Sequence, residues 1–165
     1  MVIERIEAQL PGAVLERHAF RGDETITVAG TSFLAVVDFL FGEGFQMLLD
    51  VTAVDLETPE YRFEVVYHLL NLASQARMRI KVPVADGAAQ PSLTGRFKSA
   101  DWSEREVFDL FGIPFEGHPN LTRLLMWEDF PGHPLRKDFP LDGGDIFCSN
   151  DIGASYSPEA RSLNA

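Results

Sequence analysis

The order of apolar and polar residues in the first part of the chain predicts helices and strands joined by short connections. Residues 2–10 place apolar side chains at helical spacing, and a Pro-Gly pair directly after them predicts the end of a short amphipathic helix. Two short strands are predicted at 13–20 and 24–29, with a glycine in the turn between them. The run FLAVVDFLF at 33–41 is apolar on nearly every side, so we expect a helix buried against a sheet.

Three further apolar runs predict three neighbouring strands. The first, FQMLLDVTAVDL at 45–56, is almost uniformly apolar, so we expect it in the centre of the sheet. In the runs at 61–72 and 76–84, almost every second position is apolar and lies on one face, which is typical of strands with one buried side. The last run also brings a row of cations, Arg77, Arg79 and Lys81, to the other face, where they form either a solvated surface or a docking patch. The short connections favour antiparallel pairing, so we predict an α+β fold in which a mixed, largely antiparallel sheet packs with helices.

The segment DWSEREVFDLFG at 101–112 predicts a helix most clearly. Asp101 suits the N-cap, and Glu104 three positions later can reach back to it, which is the capping-box pattern. Arg105 and Asp109 lie four positions apart, so we expect a weak ion pair on the helix surface. The final glycine suits a left-handed residue at the helix end, and the proline two positions later prevents continuation.

Residues 113–165 show no strong periodicity and are rich in Gly, Pro and Asp. A structureless segment of that length is unusual inside a compact domain, but it is reasonable if it lies along another protein. We therefore predict two parts, an α/β sandwich domain at 1–112 and an extended irregular docking segment with a tail at 113–165. The tripeptide Gly-His-Pro occurs twice in the second part, and an arginine follows each copy within a few residues.

Charge and cysteine content limit the classes of function. The 165 residues carry 25 Asp and Glu against 14 Lys and Arg, and the net charge of −11 argues against a broad basic face for nucleic acid. The single cysteine, Cys148, cannot form an intrachain disulfide or a CxxC metal pair. The acidic N-terminal stretch is not typical of a signal peptide, and no apolar run approaches the roughly 20 residues of a membrane span. We expect membrane association only through partners.

The residues of the irregular segment give only weak support for a metal site or a catalytic nucleophile. A zinc site could use His118, His133, Glu128 and Asp129, but their spacing matches no compact ligand motif. A histidine in Gly-His-Pro more commonly hydrogen-bonds to backbone in a tight turn. Cys148 lies in no recognisable nucleophile setting, and the chain contains no phosphate-binding P-loop.

The carboxylates of the predicted helix leave an enzymatic alternative open. Glu106 and Asp109 lie three positions apart, so both could line one acid–base site. An exposed helix face or an interface would explain the same pair. A free-standing enzyme that combines these carboxylates with the two Gly-His-Pro histidines is therefore one alternative.

The cations and apolar residues of the irregular segment indicate a protein interface. Arg123, Arg136 and Lys137 lie among large apolar residues in a stretch without a regular element. Buried aromatic side chains with arginines at the margin are typical of interface centres. Part of the apolar cluster could instead fold back on the domain's own core. Its members are Leu121, Leu124, Leu125, Met126, Trp127, Phe130, Leu135 and Phe139.

These residues carry a resemblance to a known family. The stretch ADWSEREVFDLFGIPFEGHPNLTRLLMWEDFPGHPLRKDFPL resembles the signature of the 30-kDa subunit of respiratory complex I, the counterpart of the C subunit of the bacterial NADH–quinone oxidoreductase. The upstream runs VVYHLL, RIKVPV and PSLTGRF also fit, so the resemblance covers roughly 45–141. Phe97 stands where the family commonly has tryptophan, a departure that would change packing more than role.

The resemblance implies a non-catalytic subunit without flavin, cluster or metal of its own. It implies a peripheral-arm position on the cytoplasmic face of the bacterial inner membrane, beside the quinone-site 49-kDa subunit and the subunit that holds the terminal cluster. The enzyme as a whole would pass electrons from NADH through FMN and Fe-S clusters in partner subunits to a quinone, coupled to proton translocation. The double Gly-His-Pro stretch would be a docking strap that proline holds in shape. We assign to the partner interface Glu104, Arg105, Glu106, Asp109, His118, Arg123, Trp127, Glu128, Asp129, His133, Arg136 and Lys137.

Two further alternatives share this interface. An equivalent subunit of a related complex, such as a membrane-bound nickel–iron hydrogenase, a formate hydrogenlyase or a ferredoxin- or F420-linked dehydrogenase, would have the same fold. An assembly factor that leaves the mature complex would use the same surface. The tail at 142–165 has few apolar residues, so we expect it to become ordered only on a partner.

Overall fold

The computed structural model describes residues 2–58 and 60–140, in which groups of consecutive strands are separated by helices. The first half contains α1 Val2–Gln9, β1 Val14–Phe20, β2 Asp23–Val28 and α2 Phe33–Gly42. The second half contains β3 Met47–Asp55, β4 Phe63–Leu70, β5 Arg77–Val84, β6 Gln90–Pro91, α3 Ala100–Phe111 and β7 Phe115–Glu116. Cys148 and the tail at 142–165, with the predictions made for them, lie outside the described residues. None of the described helices is long and apolar enough to cross a bilayer.

The main sheet is mixed and has five strands in the order β1-β2-β5-β4-β3. Three of its four pairings are antiparallel, and β2 pairs with β5 in parallel. The predicted α+β class, with a largely antiparallel sheet packed with helices, is confirmed. Two short strands, β6 and β7, form a separate parallel ladder beside α3.

β3 is an edge strand, so the expectation that it is central is wrong. Its inner face buries Leu48, Val51 and Ala53, and α3 packs against the strand. Met47 and Val54 remain more than two-fifths exposed. A uniformly apolar run usually indicates a strand covered on both faces, but here the described residues cover only one.

One core joins the sheet to the helices. β4 contributes every second residue to it, and Phe33 of α2 packs on Tyr67 with ring centroids 4.6 Å apart. The predicted alternation of β5 is confirmed, since its apolar residues are buried and its cations lie on the opposite face. Two of those cations are held within the sheet, because Lys81 donates to Glu64 at 2.7 Å and Arg79 donates to Thr25 at 3.2 Å. Of the two, only Lys81 has its charge balanced by a carboxylate among the described residues.

Candidate partner interface

Residues 113–140, which we call the strap, fold back along helix α3 instead of extending away from it. Ile113, Phe115 and Phe130 are 1%, 3% and 5% exposed. Leu121 and Met126 also pack against the core. Part of the apolar cluster therefore belongs to the protein's own interior, which confirms the alternative that it folds back on the domain's core. The boundary predicted at residue 112 stays a prediction.

Asp109 of α3 is the main anchor of the strap. Its side chain is fully buried, and Oδ2 accepts the backbone N–H groups of Leu124, Leu125 and Met126 at 2.9, 2.7 and 2.9 Å. Arg123 donates to Oδ1 at 2.8 Å. Burial alone would raise the pKa of Asp109, but these four donors outweigh burial and hold the pKa below its ordinary value. The strap backbone thus forms an anion-binding concavity that a carboxylate of the same chain fills.

Two arginines fix the strap backbone on either side of this anchor. Arg123 also donates to the carbonyl oxygens of Phe130 and Gly132 at 2.9 and 3.1 Å. Arg105 reaches from α3 to the carbonyl oxygens of Thr122 and Arg123 at 3.1 and 3.0 Å. The expected surface pair between Arg105 and the aspartate four positions later is wrong, because the strap engages both side chains.

Each Gly-His-Pro copy holds one end of α3. His118 Nδ1 accepts the backbone N–H of Asn120 at 3.0 Å, so the proton lies on Nε2, which donates to the carbonyl oxygen of Asp101 at 3.1 Å. His133 Nδ1 donates to the carbonyl oxygen of Asp109 at 2.8 Å. The prediction that these histidines bond to backbone is confirmed. The repeated tripeptide clamps the first and last turns of one helix.

The strap also completes the C-terminal end of α3. The Leu135 N–H donates to the carbonyl oxygen of Leu110 at 3.0 Å, which satisfies a group that helix geometry leaves free. Gly112 follows the helix with φ of 77°, as its sequence position predicted. A Cβ on Gly112 would lie 2.6 Å from the His133 ring, so the close approach also requires glycine.

A five-residue charge network fastens the far end of the strap to the end of the sheet. Arg136 donates to Asp86 at 2.9 Å and to Asp138 at 3.2 Å. Arg62 donates to Asp138, Asp86 and Asp55 at 2.8, 3.1 and 3.1 Å. Arg62 and then Arg136 lower the pKa of Asp138 to about 2. Asp55, Arg62 and Asp86 were not singled out from the sequence, because no local pattern links them to the strap.

Asp55 repeats the role of Asp109 at this second point. Its side chain is buried, and Oδ2 accepts the backbone N–H of Lys137 at 2.9 Å. Burial would raise its pKa, but the Arg62 guanidinium and the Lys137 N–H together lower it. Two buried carboxylates of the domain therefore hold the strap backbone.

Glu104 faces the protein interior and does not cap the helix. Ser92 Oγ donates to it at 2.6 Å and the Leu93 N–H donates at 2.7 Å. The predicted capping box is wrong, because Ser99 is the N-cap residue and no side chain caps it. Burial raises the pKa of Glu104 despite its two donors. The hydroxyl of Tyr67 is buried, without a hydrogen bond among the described residues, and burial together with Glu104 raises its pKa.

The assigned interface residues divide into an inner and an outer set. Glu104 and Asp109 are fully buried, and of the two only Asp109 holds the strap, since Glu104 binds Ser92 and Leu93. Burial also keeps Asp109 from reaching a substrate, as the alternative of an acid–base pair with Glu106 would require. Glu106, Trp127, Glu128, Asp129 and Lys137 are exposed, and Arg105, His118, Arg123, His133 and Arg136 are half-buried.

The same geometry separates the residues considered for zinc. His118 and His133 contact opposite ends of α3. Within residues 2–58 and 60–140, no three His, Cys, Asp or Glu side chains are arranged to hold a metal ion. His118 has both ring nitrogens engaged by backbone groups, and His133 donates Nδ1–H to a backbone carbonyl.

Sequence comparison gives consistent matches over most of the chain. The family model described as respiratory-chain NADH dehydrogenase, 30 Kd subunit, matches residues 26–145. The C subunit of NADH-quinone oxidoreductase from Citrifermentans bemidjiense is 42% identical over 145 residues, which cover 87% of this chain and 90% of that protein. The protein of the same name from Trichlorobacter lovleyi is 47% identical over 144 residues, which cover 86% and 89%.

Two solved structures share the fold. A trypsin-resistant fragment (1-134) of Nqo5 superposes with a TM-score of 0.64 and 34% identity over 73% of this chain and all of the fragment. A chain of the membrane-bound sulfane sulfur reductase, an archaeal respiratory membrane complex, superposes with a TM-score of 0.71 and 28% identity, over 85% of this chain and 84% of that one.

Proposed function

The chain belongs to the 30-kDa subunit family of the respiratory-chain NADH dehydrogenase, and on that premise we propose that it is a non-catalytic peripheral-arm subunit of a proton-translocating NADH–quinone oxidoreductase. Relatives that share one name match it at 42% and 47% identity over nearly their whole length, and these matches carry the proposal. In this role the chain scaffolds the quinone-reducing module, while FMN and the Fe-S clusters reside in partner subunits.

The chemistry of the strap supports a binding role. The ion pair between Asp109 of α3 and Arg123 of the strap holds the strap backbone in place. The outer side of the strap leaves Leu125 58%, Trp127 45% and Leu135 52% exposed. Large apolar side chains on a rigidly held segment are suited to the centre of a protein interface.

The proposed partners are the quinone-site 49-kDa subunit and the subunit that holds the terminal cluster. The exposed carboxylates Glu106, Glu128 and Asp129 would border the apolar contact and favour a partner surface with basic residues. The chain would lie on the cytoplasmic face of the inner membrane and reach the membrane only through this complex.

A second candidate is the equivalent subunit of a related membrane complex. The superposition on a chain of the membrane-bound sulfane sulfur reductase favours it, because that chain shares the fold over 85% of this one. The two candidates differ in the electron donor and acceptor, which belong to other subunits.

Native purification tests the proposal. The full chain is tagged, membranes are solubilised in mild detergent, and the recovered subunits are identified and assayed for NADH–quinone reduction. We expect flavin and iron–sulfur subunits together with that activity. Recovery with a nickel–iron or ferredoxin-linked set and no NADH activity would favour the second candidate. Recovery of the chain alone would refute both.

Matched leucine variants test the strap as the contact surface. Leu125→Gln with Leu135→Gln removes two half-exposed leucines from the strap. Leu15→Gln with Leu72→Gln removes leucines that are 59% and 61% exposed elsewhere. We expect only the strap variant to recover fewer partner subunits, and equal recovery would show that this face is not the interface.

A further inference from the structure

The two halves of the strap are held by different forces. The first half, residues 113–132, includes three buried apolar side chains, Ile113, Phe115 and Phe130. The second half, residues 133–140, contains no buried residue. Burial of apolar surface therefore anchors the first half, whereas polar contacts and two ring contacts, Phe139 with Phe130 and His133 with Phe108, hold the second.

The polar contacts of residues 133–140 combine hydrogen bonds to the end of α3, made by His133 and the Leu135 N–H, with ion pairs whose carboxylates water reaches. Arg136 pairs with Asp86 and Asp138, whose side chains are 49% and 52% exposed. Arg62 pairs with the same two carboxylates. Ion pairs of this kind weaken as salt screens them. By contrast, the side chain of Asp109 is fully buried, so salt has little access to that anchor.

The network covers an apolar surface at the end of the sheet. The guanidinium carbons of Arg62 and Arg136 lie 5.2 and 5.3 Å from the ring centroid of Phe63. Phe63 is only 1% exposed, and the carboxylate of Asp55 beside it accepts the Lys137 N–H. Removal of residues 133–140 would take Arg136 away from this ring and leave Asp55 without its backbone donor.

We propose that residues 133–140 form an ionic latch that opens and closes on the end of the sheet while residues 113–132 stay bound to α3. The open state removes Arg136 from the Phe63 ring and frees the cations and carboxylates of the network for other charged groups. Because ion pairs that salt can screen contribute to closing the latch, salt shifts it toward the open state. This inference concerns the chain by itself and does not depend on the proposed function.

Amide hydrogen exchange on the full-length chain tests the latch without any mutation. The N–H groups of Leu135 and Lys137 report the latch, and those of Leu124, Leu125 and Met126 report the Asp109 anchor. Between about 0.01 M and about 1 M salt the screening length falls from roughly 30 Å to roughly 3 Å. We expect exchange of the latch amides to accelerate at high salt while the anchor amides keep their protection. Equal responses in both groups would refute separate opening.

A neutral substitution and its matched control test the ionic cause. Asp86→Asn removes the one of the two shared carboxylates that lies outside residues 133–140, and Asp38→Asn removes a comparably exposed carboxylate, which pairs with Arg96 at 2.7 Å. We expect Asp86→Asn to accelerate latch exchange at low salt by at least about threefold, with a weaker further response to salt. Asp38→Asn should leave the latch unchanged. No acceleration in Asp86→Asn, or the same acceleration in both variants, would overturn the proposal.

Discussion

Helix α3 buries two carboxylates whose pKa values shift in opposite directions. Glu104 receives one hydroxyl and one backbone N–H, which do not outweigh burial, so its pKa rises. Asp109 receives three backbone N–H groups and a guanidinium, so its pKa falls. The opposite pKa shifts follow from the number and charge of the donors. As a result, Glu104 contributes to stability at low pH and Asp109 at higher pH.

We expect Asp109→Asn to lower the free energy of unfolding by about 1–3 kcal/mol, because half-buried Arg123 loses its counter-charge and the neutral amide cannot accept all of the donors that Asp109 holds. Glu106→Gln on the same helix is the control, since Glu106 is exposed and should change stability by less than about 0.5 kcal/mol. Urea unfolding of both variants measures the difference. A similar small loss in both would show that Asp109 is not the anchor.

Glu104→Gln should change the pH dependence of stability. A raised folded pKa means that Glu104 contributes most below its ordinary pKa of 4.5 and that this contribution is lost as pH rises. The neutral amide lacks that dependence, so the variant should gain stability relative to the parent between about pH 4.5 and pH 7. The lowered pKa of Asp109 has the opposite sign, because its contribution is lost as pH falls. Urea unfolding across this range would contradict the prediction if the difference between the proteins stayed constant.

At the scale of elements, the end of α3 depends on two separate properties of glycine. Gly112 and Gly117 both have positive φ, 77° and 81°, but only at Gly112 does an added Cβ meet another residue, His133 at 2.6 Å. Each alanine variant should lose roughly 1–2 kcal/mol from the left-handed backbone. Gly112→Ala should lose more and release residues 133–140, as measured by urea unfolding and hydrogen exchange. Equal losses would show that the contact with His133 contributes nothing.

Elements with a clear period were predictable, and elements set by distant contacts were not. β4 and β5 alternate in sequence as they do in the sheet, so their buried faces were correctly assigned. The position of β3 at the edge depends on the order of strands, which its own residues do not encode. Glu104 matched a capping pattern, but a loop eleven residues earlier supplies its partner.

The path of the strap could not be predicted from sequence patterns, because distant contacts also determine it. Its clustered arginines and aromatic residues indicated contact with a partner, which stays a prediction, whereas the contacts in the structure are with the chain itself. Asp109 binds N–H groups about fifteen residues away, and Asp55 binds one 82 residues away. Backbone N–H groups leave no mark in a sequence, because every residue except proline carries one.

At the scale of the whole molecule, the net charge of −11 predicts weak affinity for anionic surfaces. We expect the purified chain not to sediment with vesicles rich in anionic lipid, even at low salt. Membrane association through partner subunits would then be the only route. Binding to these vesicles that high salt abolishes would reveal a basic patch strong enough to act alone, and neutral vesicles are the control.

The parallel pairing of β2 with β5 has a consequence for the nascent chain. Thr25 and Arg79 lie side by side in the sheet but 54 residues apart in sequence. At ordinary translation speeds the ribosome needs roughly 3–10 seconds to make that stretch. During this time the edge of β2 that later pairs with β5 is unpaired, and such an edge can recruit strands from other chains. This topology is therefore most exposed to misassembly during synthesis on the ribosome, before β5 covers β2, and less so in the finished protein.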